Sequence, residues 1–234
     1  MAPCDQVGAC ATVVSQGMGM SADLPSGAWT GLLQHAFKLL DDIHQNGIKD
    51  PFWTFGGGTV LMLRYQHRVS KDIDIFVPDP QYLGFVSPRL SDIAQEISVD
   101  YVEGNSFVKL IRPEGEIDFV ASPNLTDDPF EVWQLLGHTV RVETAAEIVA
   151  KKLWHRGDRV SARDLFDLSL VIEREPKALV AASKYLIRHR AEFLEQIQSR
   201  SRILKLQFEA IDALAYKPTY EKAAKRAAEF LRGL

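Results

Sequence analysis

The chain has 234 residues, 46% apolar and 25% charged, with a net charge of −4, an ordinary balance for a globular protein with a sizeable core. No apolar run nears the roughly 20 residues that span a bilayer, no basic flank precedes an apolar core at the N-terminus, and Cys4 and Cys10 lack partners at zinc or disulfide-framework spacing. Membrane-embedded, secreted and disulfide-stapled classes are therefore set aside, and a cytoplasmic location is expected.

Residues 1–24, with Gly, Ser, Ala and Met but no sustained period, read as a flexible leader. From Gly27 to Asn46, Leu32, Leu33, Phe37, Leu40 and Ile43 recur at helical spacing, and Gly47 and Pro51 end that helix. Phe52–Phe55 predicts a first strand, Thr59–Tyr65 a short helix, and Lys71–Val77 a second strand stopped by Pro78 and Pro80. A helix over Leu90–Ile97 follows, then strands over Ser98–Val102, Ser106–Ile111 and Glu116–Ala121. Arg112-Pro113-Glu114-Gly115 joins the last two as a tight hairpin.

A further strand is expected at Thr139–Val142, after which the pattern turns helical. Thr144 with Glu147 is a capping-box signature, Ser161 caps a helix ending near Glu175, and about three amphipathic helices complete the chain, with Pro218 opening the last. These elements predict an α+β protein with a small mixed sheet. The expected division is a leader at 1–24, a core at 25–142 and a helical C-terminal domain at 143–234.

The most informative stretch is Phe55-Gly56-Gly57-Gly58-Thr59, followed by Arg68-Val69-Ser70-Lys71-Asp72-Ile73-Asp74-Ile75-Phe76. Strand alternation puts Asp72 and Asp74 on one face, while Ile73 and Ile75 tie the strand to a core. Two adjacent carboxylates repel unless a divalent cation lies between them, and hard oxygen donors suit Mg²⁺, with Mn²⁺ the alternative. Gly57 and Gly58 lack Cβ atoms at an expected helix N-terminus, so their N–H groups can cradle phosphates, with the Thr59 hydroxyl nearby and Ser70 able to bond a phosphate oxygen. Arg68 suits either a functional role or pairing with the aspartates. Together these parts describe a site for a metal-chelated nucleoside triphosphate. On the hairpin's return strand, Glu116 and Asp118 share a face and offer a third carboxylate.

The Gly-Gly-Thr, short apolar helix and Arg-x-Ser-x-Asp-Ile-Asp-Ile-Phe series resembles the first motif of the DNA polymerase β-type nucleotidyltransferases, and more narrowly the AbiEii/AbiGii toxin branch. Ala146–Leu153 and Arg163-Asp164-Leu165-Phe166-Asp167-Leu168 resemble that branch's Ala-Glu-Lys-Leu-like helix and Arg-Asp-x-aromatic-Asp segment. Lys151 stands where the branch has a Glu. The resemblance implies a polymerase β-like nucleotidyltransferase core, Asp118 as third metal ligand beside Asp72 and Asp74, Lys152 on the triphosphate, and Asp164 near the catalytic pocket. Asp167 lies on the same helical flank as Asp164 and can pair with Lys152 or Arg163.

It also implies transfer of a nucleoside monophosphate to an acceptor hydroxyl, with RNA, for instance a tRNA 3′ end, as acceptor and a cognate antitoxin as partner. Two rivals remain open: an aminoglycoside-type transferase for a small hydroxylated molecule, and a binding module that kept the fold. The charge distribution suits the first reading. Residues 1–140 carry 8 Lys/Arg against 18 Asp/Glu, and residues 141–234 carry 19 against 13, so an acidic metal-binding half adjoins a basic half. The stretch Lys184–Lys205, with Arg188, Arg190, Arg200 and Arg202, is the expected contact for an RNA backbone.

Overall fold

The computed structural model describes residues 24–46 and 48–234; the leader, with Cys4 and Cys10, and Gly47 lie outside the described residues. Helix α1 (Trp29–Gln45) is followed by β1 (Thr54–Gly56), α2 (Gly57–Tyr65) and β2 (Ile73–Val77). Next come a 3₁₀ turn (Pro80–Tyr82), α3 (Leu83–Val86), α4 (Asp92–Ile97), and the strands β3 (Tyr101–Gly104), β4 (Phe107–Arg112) and β5 (Gly115–Ala121). A second hairpin, β6 (Phe130–Leu135) and β7 (His138–Glu143), leads into α5 (Ala145–Arg156) and α6 (Ala162–Arg174). The helices α7 (Pro176–Ala181), α8 (Ser183–Leu186), α9 (Arg190–Ser199), α10 (Ser201–Glu209) and α11 (Tyr220–Gly233) complete the chain.

All seven strands form one mixed sheet, ordered β3-β4-β5-β2-β1-β7-β6. The predicted turn is present: Arg112 pairs with Gly115, so Lys109 stands opposite Asp118. β2 runs parallel to β5 with Asp74 opposite Asp118, and antiparallel to β1 with Gly56 opposite Asp74. One face of this sheet is apolar. Ile73, Ile75, Val77, Val108, Leu110, Ile117 and Phe119 are buried there, and α1 brings Leu32, Leu33, Leu39 and Ile43 into the same core. Each such aliphatic side chain contributes about 1.5–3 kcal/mol by leaving water. That anchoring fixes the strand register, and the alternate residues Asp74, Phe76 and Asp118 consequently face the other side, where α5 packs.

The structure adds β6, the 3₁₀ turn and α3 to the elements the sequence pattern predicts; β6 carries exposed Val132 and Glu131 on a sheet edge, so its hydrophobic alternation is weak. Asp72 lies one residue before β2 rather than within it. The capping box expected at α5 is half present: the Thr144 hydroxyl accepts from the Glu147 N–H, but the Glu147 carboxylate accepts from the Leu125 and Thr126 N–H groups instead. The full capping box occurs at α6, between Ser161 and Asp164. The last helix begins after Thr219, which caps it, and not at Pro218.

The C-terminal helices are tied to the sheet half through backbone. Leu214 and Ala215 donate N–H bonds to the carbonyls of His67 and Gln66, and Val69 donates to the Asp212 carbonyl, so Arg68 is held between α2 and β2. No helix among the described residues is long and apolar enough to cross a membrane.

Candidate active site

The site is built on one lateral row of the sheet: Gly56, Asp74, Asp118 and Lys109 are successive partners across β1, β2, β5 and β4. At one end of the row the chain turns into α2 through Gly57, whose φ of +75° suits glycine. A Cβ on Gly57 would overlap the Asp74 carboxylate, and one on Gly58 would come within 2.6 Å of Arg68 Nη2. The glycines therefore let the aspartate and the arginine close directly on the helix N-terminus, where free N–H groups favour an anion. The Thr59 hydroxyl donates to the Asp72 carbonyl at 2.6 Å and lies 3.1 Å from Ser70 Oγ, bracing the glycine turn against the strand.

Burial raises the Asp74 carboxyl above its ordinary value, Lys152 and Arg156 oppose that rise, and the Asp72 charge adds to it. Asp118 is pushed up to about 7, first by burial and then by the Asp74 charge. Its Oδ1 is buried without a hydrogen-bond partner, while Oδ2 lies 3.3 Å from Lys109 Nζ. Asp72 is turned aside, with Oδ1 accepting from the Glu116 N–H at 3.1 Å. Among the described residues no three His, Cys, Asp or Glu side chains close on a common point, so the expected triad is not preassembled. Two neighbouring carboxylates, with one orphaned buried oxygen, are nonetheless the donor set that a hard divalent cation would satisfy.

Across from this row, α5 carries the cations Lys152 and Arg156, and α6 carries Asp164 and Asp167, the acids that hold them. Asp167 is fully buried and gathers three partners: Arg68 in a two-bond pair at 2.8 and 2.9 Å, His67 Nε2 at 2.9 Å, and Lys152. Burial alone would raise Asp167, but Arg68 and Lys152 outweigh it and hold the carboxyl well below its usual range. Asp164 is lowered for the same reason: burial pushes up, Lys152 at 3.2 Å and Arg156 at 2.7 Å pull further down, and Ser161 adds a bond. Burial lowers His67, and its Nε2, facing a carboxylate oxygen that can only accept, donates to Asp167.

Arg68 thus pairs with Asp167, not with Asp72 or Asp74, and Asp167 takes Lys152 but not Arg163. Lys151, at the position that departs from the expected Glu, is buried over the Phe76 ring at 4.0 Å and paired with Glu143 at 2.5 Å and Glu147 at 3.5 Å. A buried cation there is tolerated because two buried carboxylates neutralise it.

Two residues near the site escaped the sequence reading. Arg156 bonds Asp164 with half of its side chain exposed, and it lies one turn beyond Lys152, a spacing that could have revealed it. Lys109 faces Asp118, which counting outward from the Arg112–Gly115 turn would have shown. A cavity of about 600 Å³ lies elsewhere, lined by Asp42, Phe85, Ser91 and their neighbours without a single cation; chemistry rather than room distinguishes the site. The Lys184–Lys205 stretch is spread over α8 to α10, with Arg188 stacked 4.5 Å from the Trp154 ring.

Comparison with known proteins agrees with the sequence resemblance. The model of the family described as "Nucleotidyl transferase AbiEii toxin, Type IV TA system" matches residues 38–232. No curated protein matches the chain significantly. Among solved structures, the chain is similar to the MenT4 nucleotidyltransferase toxin Rv2826c of Mycobacterium tuberculosis H37Rv, at 19% identity over 88% of this chain and 84% of that one, with a TM-score of 0.48. It is also similar to a putative nucleotidyltransferase from H. pylori, at 18% identity over 86% and 92% with a TM-score of 0.45, and to JHP933 from Helicobacter pylori, at 18% over 90% and 92% with a TM-score of 0.46.

Proposed function

Because this chain belongs to the AbiEii nucleotidyltransferase toxin family of type IV toxin–antitoxin systems, we propose that it moves a nucleoside monophosphate from a triphosphate to a hydroxyl of RNA, a tRNA 3′ end being the favoured acceptor. The observation that carries the reading is the register pairing of Asp74 with Asp118 beside the Gly57–Gly58 turn. That arrangement places carboxylates next to a helix N-terminus suited to phosphates.

Asp74 and Asp118 would hold Mg²⁺, with Asp72 joining by rotation away from the Glu116 N–H; Mn²⁺ is the alternative. The bound ion supplies charge neutralisation and polarisation at the α-phosphorus. The protein's own groups do the rest. The N–H groups at the start of α2 and the Ser70 hydroxyl receive phosphate oxygens. Lys152 and Arg156 present cations to the triphosphate, while Asp164 and Asp167 keep both side chains in place. Asp118, at the edge of the metal position, suits removal of the acceptor hydroxyl's proton as the new O–P bond forms and pyrophosphate departs.

In this reading residues 25–142 carry the nucleotide and residues 143–234 supply the cations and the RNA surface. A cognate antitoxin is the expected protein partner, and the cytoplasm the expected location. The test is incubation with Mg²⁺, each of four labelled nucleoside triphosphates and total tRNA, beside Asp74→Ala. Label entering RNA with wild type alone establishes the reading. Nucleotide binding without RNA label moves the acceptor to a small molecule or protein, and no binding sinks the enzyme site.

A further inference from the structure

Lys109 stands out because nothing in the phosphate-binding machinery requires it, yet it occupies the end of the carboxylate row. Its neighbours on β4, Val108 and Leu110, are fully buried on the apolar face, which forces the Lys109 side chain to the face bearing Asp118 and Asp74. There Nζ is bonded to Glu116 and lies 3.3 Å from Asp118 Oδ2, with 28% of the side chain exposed. Among the described residues Asp118 has no other partner: its Oδ1 is orphaned, and Asp74 stands opposite it in the next strand. A solvent-facing lysine of structural type would extend into water. This one is drawn back along the strand face onto two acids.

Resting on the assignment of Asp74 and Asp118 to a divalent cation, we propose that Lys109 is a tethered counter-cation: it holds Asp118 and offsets the repulsion of the carboxylate pair when no metal is bound, and it competes with the incoming ion for Asp118 Oδ2. Two like-charged carboxylates side by side are costly without a positive charge. The ammonium tethered to β4 provides one, and its flexible stem lets it keep Glu116 alone when a divalent ion takes its place at Asp118. Lys109 is therefore a positioning residue, and its charge sets how tightly free metal is held. An ammonium a few ångströms from the metal position, partly screened, weakens that binding by about tenfold.

The test is a Mn²⁺ titration of the nucleotide-free full chain, followed by electron paramagnetic resonance, for wild type, Lys109→Met, Lys109→Arg and Asp74→Asn. Lys109→Met is expected to bind Mn²⁺ about tenfold more tightly than wild type, Lys109→Arg to resemble wild type, and Asp74→Asn to lose the site. Thermal melting gives a second readout. Lys109→Met should melt lower than wild type in chelator and recover on adding Mn²⁺, whereas a purely structural loss would lower the melt in both conditions. If Lys109→Met does not fold, Lys109→Gln serves the same comparison. Equal or weaker Mn²⁺ binding by the neutral variants, with Asp74→Asn still losing the site, overturns the role of Lys109 and leaves the metal assignment standing. Undiminished binding by Asp74→Asn overturns the metal assignment and the role of Lys109 together.

Discussion

Arg68 and Asp167, 99 residues apart in the chain, meet in a buried two-bond ion pair at 2.8 and 2.9 Å that joins the segment before β2 to helix α6. His67 and Lys152 complete the set around the same carboxylate. The pair fixes Arg68 beside Gly58 and Lys152 beside the carboxylate row, so one buried aspartate aligns the sheet half with the helical half.

Asp167→Ala should therefore destabilise the protein by about 3–5 kcal/mol, since it leaves Arg68 charged and unpaired in the interior and takes from Lys152 one of its two carboxylates. Urea unfolding followed by circular dichroism measures this. A loss below about 1 kcal/mol, the range of exposed ion pairs, would contradict the buried hub.

Asp74→Asn should cut nucleotidyl transfer by roughly a hundredfold to a thousandfold or more, in the range seen when one preorganised electrostatic group is removed. Because burial makes the charged form of Asp74 unfavourable, the same variant should be at least as stable as wild type without metal. Loss of transfer together with loss of folding would assign Asp74 to the scaffold instead.

Gly57→Ala should abolish triphosphate binding. Its φ of +75° costs a residue with a Cβ about 1–3 kcal/mol, and that Cβ would overlap Asp74. Gly31→Ala, where nothing lies within 4 Å of a new Cβ, is the control that should leave binding unchanged. Equilibrium binding of each labelled nucleotide separates the two.

The pH dependence of stability in chelator should carry the mark of Asp118. Its folded carboxyl is raised to about 7 against an ordinary value of 3.8, so the folded state holds more protons across that window. Its contribution is complete below pH 3.8 and is lost as pH rises through about 7. Asp164 and Asp167 are shifted the other way, so their contribution is present above the ordinary carboxylate range and lost in stronger acid. Melting temperatures in chelator should fall between about pH 4 and 7, and Asp118→Asn should flatten that fall. A profile identical in the two proteins would refute the raised carboxyl.

Much of the fold could be read locally. The hairpin at Arg112–Gly115, the helix capped by Ser161 and the alternation around Ile73 and Ile75 are set by neighbours in sequence, and the structure has each of them. β6 was illegible because an edge strand with exposed Val132 and Glu131 has no strict alternation to display. The 3₁₀ turn and α3 are too short to establish a period.

The sequence by itself determined the family, the α+β class, the glycine turn and the carboxylate-bearing strands, because turn chemistry and strand alternation act over a few residues. Only the tertiary structure decided which charges meet. It paired Arg68 with Asp167, turned Asp72 to the Glu116 N–H, and buried Lys151 between Glu143 and Glu147. Ion-pair partners are chosen by burial and distance after the sheet register and helix packing are fixed, and any of the chain's 27 basic side chains could in principle answer any of its 31 acids until then.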